Sequence, residues 1–296
     1  MDNTRPIASN LSTIDLPHEL VREVPTSPLQ EWEWADLAAR PSIGRLDSEV
    51  LPKPRLGLTH PAILLFFAVH GLLALVFFFA PGLDLEFSNF FYKPGLGFDI
   101  ASRSSARALP FIPWFTTAFI IGSGWLLIRN IADSLRRRQA ILRSGSTRRI
   151  LFLLLTLGFG PGLLINTILK VQSGRARPIR VQAFGGDREF TPAFSVANQC
   201  RGNCSFVSGD AAMGYFLLAF LFIARKRRLA IALSAYAAGS AIGLVRIAQG
   251  AHFLSDVIFA GFFTFLVAWV LYLLILRSTE DSSPVLVPRY TPGRRR

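Results

Sequence analysis

The chain has 296 residues, 51% of them hydrophobic, with 26 Phe and a mean hydropathy of +0.40, which excludes an ordinary soluble domain. Its net charge of +13 does not mark nucleic acid as a partner: the cations fall in clusters between apolar runs, with no RNP-like or zinc-finger pattern beside them. The composition predicts an all-α polytopic membrane protein.

Residues 1–58 hold nine of the 19 acidic residues but only six of the 32 basic ones, and no apolar run of signal-peptide length. Rich in Pro, Ser, Thr and Glu, they predict a disordered cytoplasmic tail without a cleaved signal. Leu29 to Ala39, with Trp32 and Trp34, suits a short interfacial helix; a tail with transient contacts is the plainer reading.

Six apolar stretches follow, near 61–80, 110–131, 150–169, 208–224, 229–247 and 254–276. Each approaches the roughly 20 residues that a helix needs to cross a bilayer. They predict a six-helix bundle over residues 59–277 and a basic cytoplasmic tail over 278–296. The fifth stretch is dominated by Ala, Gly and Ser, which suits close packing inside a bundle. It starts directly after Arg225-Lys226-Arg227-Arg228, so a tight hairpin must precede it.

Arg136 to Arg138 with Arg143, Arg148 and Arg149, then Arg225 to Arg228, then Arg294 to Arg296, all fall on one side of this layout. The positive-inside rule makes that side cytoplasmic, with both termini inside. The opposite loop, 170–207, nevertheless carries Lys170, Arg175, Arg177, Arg180, Arg188 and Arg201. A single Lys at a helix end is ordinarily a snorkelling residue. Four cations between 170 and 180, against the topological trend, point instead to an anion site, where an Arg fork holds two phosphate oxygens and Lys supplies a point charge.

Cys200 and Cys204 share that loop. On an oxidising outer side they predict a small disulfide, with two free thiols as the alternative. Two Cys without a nearby His are too few ligands for zinc.

Ser208-Gly209-Asp210 leads into the fourth stretch. Ser208 suits an N-cap and Gly209 a close backbone approach, so the first N–H groups of this helix are candidates for binding an oxyanion. A plain helix cap explains the same residues. Arg246, His252 and Asp256 lie between the last two stretches. An early start of the last helix would put His252 and Asp256 on one face at i,i+4, with Asp256 fixing the imidazole tautomer and leaving the other nitrogen free to attack. A buried structural His-Asp pair is the competing reading. Of the other histidines, His18 lies in the tail, His60 precedes the first stretch on the inner side, and His70 is mid-stretch without an evident charged partner.

Together these residues resemble the type-2 phosphatidic acid phosphatase family of membrane lipid phosphatases. Lys170 to Arg177-Pro178 matches the family's first motif, and Arg246, His252 and Asp256 match the spacing of its third. In its second motif, Val207 stands where the family has Pro and Asp210 where it has His; in the third, Val245 replaces Ser.

The resemblance implies that Lys170, Arg177, Arg246, Ser208 and the Gly209 N–H bind the phosphoryl oxygens, while His252 attacks phosphorus and Asp256 orients it. Asp210, or water, is then the leaving-group acid, a role that requires Asp210 to hold a proton at working pH. No cofactor or metal is implied.

Asp84-Leu-Glu-Phe and Phe91 to Phe98, followed by Arg103 and Arg107, resemble the first outer loop of the bacterial lipid A phosphatase branch and suggest an interfacial lid. The implied substrate is a lipid phosphate in the inner membrane, hydrolysed on the periplasmic side. Lipid A at its 1- or 4'-phosphate comes first, with phosphatidylglycerophosphate and undecaprenyl diphosphate as alternatives. An inactive lipid-phosphate binder is the rival class. A transporter would place its charge pairs at mid-membrane rather than at one face.

Overall fold

The computed structural model describes residues 60–98, 109, 111–224 and 226–277. The expected tails, the Trp32/Trp34 helix, His18, Arg103, Arg107, Arg225 and Arg294 to Arg296 lie outside them.

Helix α1 (Pro61–Phe79) starts on Pro61, with the His60 imidazole accepting from the Ala62 N–H at 3.2 Å. It is followed by a short α2 (Gly82–Asn89) and a two-stranded antiparallel ribbon, β1 (Tyr92–Lys93) and β2 (Gly97–Phe98), in which Tyr92 faces Phe98. Helix α3 (Phe111–Arg136) leads to α4 (Gly145–Gln172). Then come a long loop, α5 (Gly209–Ile223), α6 (Arg228–Ala248) and α7 (Leu254–Arg277). Among the described residues, α1, α3, α4, α6 and α7 are long and apolar enough to cross a membrane.

The fourth apolar stretch departs from the others. Helix α5 consists of a seven-residue α-helical segment, a four-residue 3₁₀ turn and a further four-residue helical segment. It is therefore shorter than an ordinary span, but most of its length is buried, including Ala211, Ala212, Phe216 and Ala219. A helix enclosed by protein need not match the hydrocarbon thickness on its own. Its close neighbour is α6: a Cβ on Gly214 would lie 2.7 Å from the Gly239 Cα, and one on Gly239 would lie 2.5 Å from the Tyr215 ring, so neither position has space for a side chain. This contact gives the Ala/Gly/Ser composition of α6 its packing reason, since between helices in lipid, close van der Waals approach replaces hydrophobic driving force.

Helices α1 and α3 are peripheral. Leu65, Leu72, Phe78 and Phe79 of α1 and Trp114, Ile121 and Ile128 of α3 are exposed, a surface suited to lipid. Helix α1 docks on α7 through Phe66, whose ring lies 3.9 Å from that of Phe265. His70 belongs to this contact: its Nδ1 is 2.9 Å from the Phe66 carbonyl and its ring packs on Phe66. Helix α4 widens to π-type turns over Gly158–Leu169, around Pro161, which has no N–H to continue the α pattern. The Asn166 amide donates to the Pro161 carbonyl at 2.7 Å and Thr167 donates to Gly162 at 3.3 Å, so side chains satisfy backbone groups in the loosened stretch.

Candidate active site

The ends of α4 and α6, joined by two loops to the starts of α5 and α7, converge at one end of the bundle. Lys170 occupies the last turn of α4, Ser208 caps α5, and Arg246 is in the last turn of α6. Ser205 N–H donates to the Arg175 carbonyl at 2.9 Å, Ser208 N–H to the Asp256 carbonyl at 3.1 Å, and Ile179 N–H to the Gly250 carbonyl at 2.9 Å. These bonds tie all three motifs into one unit.

His252 is completely buried, and its position corrects the sequence expectation in two respects. Helix α7 starts at Leu254, so His252 precedes the helix rather than sharing a face of it with Asp256. Its Nδ1 lies 2.7 Å from the Ser205 carbonyl but 3.6 Å from Asp256 Oδ2. A carbonyl only accepts, so Nδ1 carries the proton and donates to Ser205, which leaves the Nε2 lone pair free. Nε2 is buried and has no hydrogen-bond partner in this structure. Burial pushes the imidazole below its ordinary pKa; Asp256 pulls it upward, while Lys170 and Arg177 push it down again.

Asp256 is held by other groups. Its Oδ2 accepts from the Phe253 N–H at 2.8 Å and from the Ser205 hydroxyl, and its Oδ1 accepts from Arg175 Nη1 at 2.6 Å. Ser205 therefore binds both residues, offering its carbonyl to His252 and its hydroxyl to Asp256. Arg175, 1% exposed, also reaches Asp84 Oδ2 at 2.7 Å and the Thr191 carbonyl at 2.8 Å, with the Phe253 ring 4.3 Å from its guanidinium carbon. Asp84 in turn accepts from the Ser255 N–H at 2.9 Å and the Ser255 hydroxyl at 2.6 Å. Asp84 is thus a buried anchor for the start of α7, while Phe90 and Leu96 of the following stretch are exposed.

The remaining cations are held with their donors directed at neutral or exchangeable partners. Arg177 donates to the Asn203 side-chain oxygen at 2.8 Å and its carbonyl at 3.2 Å; Lys170 reaches the same side-chain oxygen at 3.5 Å. Burial, then the charge of Arg246, lowers the Arg177 pKa, yet a guanidinium stays protonated, so the site favours an incoming anion. Arg246 donates to Gln249 at 2.7 Å, and its Nε sits 2.8 Å from Asp210 Oδ2 without pointing its N–H along that contact. The Ser208 hydroxyl accepts from the Ala211 N–H at 3.4 Å, an ordinary N-cap, and Gly209 lies against the Asn166 side chain. Cys200 and Cys204 are joined as a disulfide with Cα atoms 5.6 Å apart.

The model of the PAP2 superfamily matches residues 149–280, which contain all of these groups except Asp84. A lipid A 4'-phosphatase of Francisella tularensis subsp. novicida is 38% identical over 206 residues, covering 69% of this chain and 91% of the relative. The chain belongs to the PAP2 superfamily. Lipid A 4'-phosphatases of Rhizobium leguminosarum and Rhizobium etli are 31% and 32% identical, covering 74% and 67% of this chain and 97% and 81% of their own. No solved structure matches it.

This PAP2 protein is a phosphoric ester hydrolase, a membrane lipid phosphatase, and its site contains residues that motif spacing did not reveal. Asn203 holds two cations from a left-handed backbone (φ 46°) that Asn tolerates; the Gly202-Asn203 turn was the available signal. Arg175 was visible only as one more cation in an outer loop. Ser205, Ser255 and Gln249 gave no signal, because each acts through a long-range contact or a short side-chain bond of a common type.

Proposed function

We propose that this protein removes the 4'-phosphate of lipid A on the periplasmic side of the bacterial inner membrane, through a phosphohistidine on His252. The observation that carries the reading is the enclosed Nε2 of His252, unpartnered while Nδ1 donates to Ser205, with the charges of Lys170 and Arg177 close enough to bear on it. The names of the three relatives support the substrate. The outer placement rests on charge: Arg136 to Arg138 and Lys226 to Arg228 lie at the helix ends opposite to Lys170, Ser208, Arg246 and His252.

In this reading the phosphoryl group exchanges for the partners that the cations now hold. Arg177 and Lys170 turn from Asn203, and Arg246 from Asp210, toward the phosphoryl oxygens, with Ser208 and the Gly209 N–H at the α5 terminus beside them. Nε2 attacks phosphorus in line as the bond from phosphorus to the sugar oxygen breaks, and the cations stabilise the charge that spreads over the equatorial oxygens. Asp210, or water, protonates the departing oxygen. Water then attacks phosphorus as the bond to Nε2 breaks and returns a proton to the donor, which releases inorganic phosphate and restores the imidazole. Asp256 acts by fixing Ser205 and the backbone at Phe253, and so orients His252 indirectly.

The test is phosphate release from lipid A by purified protein in neutral detergent, with mass spectrometry of the product locating the lost phosphate. Loss from the 4' position, absent in His252→Ala, is the expected result; loss from the 1 position, or from other lipid phosphates only, refutes the substrate.

A further inference from the structure

A cleft of about 770 Å³ opens beside the site, far larger than one phosphoryl group needs and in the range that holds a sizeable polar ligand. Arg177, Arg246 and Asn203, which holds Arg177, are in its lining. Arg180 and Arg188 line it as well, and no step of the proposed reaction uses them; Asp187 is the only carboxylate in the lining. Both additional arginines are exposed. Asp187 contacts Arg188 at 3.5 Å, a solvated pair of sequence neighbours that is worth little. Arg180 has no carboxylate partner among the described residues.

These two arginines are held in place by their backbones. The Arg188 N–H donates to the Arg180 carbonyl at 2.8 Å and the Gln182 N–H to the Arg188 carbonyl at 2.8 Å, so the turn closes on itself. Val181 and Phe184 from this turn pack with Phe98 and Phe253 in a small buried cluster. Phe253 follows His252 in the chain, and Ile179 is bonded to the Gly250 carbonyl. Gly250 has φ +64° and lies directly against the Phe98 ring, which leaves no space for a side chain there. The arginine wall and the nucleophile are therefore built on one shared core, at a fixed relation to each other.

We infer that Arg180 and Arg188 form a second anion subsite, in the same cleft as Arg177 and Arg246, for the other phosphate of the same substrate lipid. The inference rests on the lipid A reading, since it assigns the cleft to a sugar headgroup phosphorylated at both ends. Arginine suits this role because its planar fork pairs with phosphate through two hydrogen bonds.

The experiment compares kcat and KM for lipid A carrying both phosphates with lipid A carrying only the 4'-phosphate, in neutral detergent micelles. The wild-type protein should show a KM lower by about tenfold or more for the doubly phosphorylated lipid, the size of one charge-assisted contact. Arg180→Gln/Arg188→Gln should bring that ratio close to one, and Arg180→Lys/Arg188→Lys should keep part of it, which separates loss of charge from misfolding. A wild-type ratio near one, or a ratio unchanged in the Gln variant, overturns the subsite. In a further arm, anionic phospholipid is added to the singly phosphorylated substrate. A KM restored to that of the doubly phosphorylated lipid would assign the arginines to a neighbouring headgroup and overturn the substrate assignment. Release of phosphate from neither lipid overturns the lipid A reading and the subsite with it, an outcome distinct from equally efficient release from both.

Discussion

His252 donates its Nδ1 proton to the carbonyl of Ser205 at 2.7 Å, while the carboxylate of Asp256, four residues further on, stands 3.6 Å away. The His252 ring is therefore oriented by a backbone atom, and the side chain at i+4 acts by holding that backbone. A main-chain carbonyl cannot be removed by substitution, which gives the tautomer a protection that a carboxylate alone would not provide.

The acid limb of the pH profile follows from this site. With His252 as the proposed nucleophile, neutral imidazole attacks, so activity should be present above the His252 pKa and lost as pH falls through it. Burial lowers that pKa from its ordinary value near 6.5, so the acid limb of kcat/KM, which reports the free enzyme, should have its midpoint below pH 6.5. His252→Ala should abolish turnover and His70→Ala should preserve it. An acid limb centred above pH 7, or turnover by His252→Ala, contradicts the nucleophile assignment.

Arg175 and Asp84 provide a second expectation. Arg175→Met leaves two buried carboxylates without their shared cation, and breaking a buried pair in this way costs about 3–5 kcal/mol. The measurement is chemical unfolding in detergent. Asp84→Asn keeps the shape and a polar contact to Arg175 and Ser255, and should lose less stability than Arg175→Met. Equal stability of wild type and Arg175→Met would show that this network is not holding α7.

How far the sequence revealed this centre depended on separation along the chain. Lys170 with Arg177-Pro178, and His252 with Asp256, are short spacings that one segment imposes, so their grouping was legible. The Arg175 contacts to Asp84 and Asp256 join residues 91 and 81 positions apart, and no local pattern encodes such pairing. All six apolar stretches were legible, α5 included: the structure places it at Gly209–Ile223 against the expected 208–224. Its break into α, 3₁₀ and α segments was not, because packing inside the bundle and not the bilayer thickness sets its shape.

The cations make a third prediction. Lys170→Met, Arg177→Met and Arg246→Met should each lower kcat/KM more than about tenfold, since loss of one preorganised oxyanion donor typically costs 10²-fold or more. Unchanged kinetics in any of the three would reassign that residue to topology or packing. The outer-side placement has its own check in the Cys200–Cys204 bridge: mass spectrometry of non-reduced, alkylated protein should find the pair linked. Full alkylation of both thiols without reductant would count against an oxidising compartment.

Asp210 gives the fourth prediction, because two roles compete for it. As the leaving-group acid it must carry a proton during turnover, so Asp210→Asn, which cannot supply one, should be severely impaired. Asp210→His should restore turnover with its basic limb moved toward the imidazole range, near pH 6.5 for an unperturbed group. As the counter-ion of Arg246, at 2.8 Å, it would instead hold that arginine until phosphate arrives. Asp210→Asn would then free Arg246, lower the inhibition constant for inorganic phosphate, and leave the pH profile as in wild type. A pH-rate profile and phosphate inhibition measured on the same Asn variant separate the two. Loss of turnover supports the acid; a wild-type profile with tighter phosphate binding assigns Asp210 to Arg246 and makes water the proton donor.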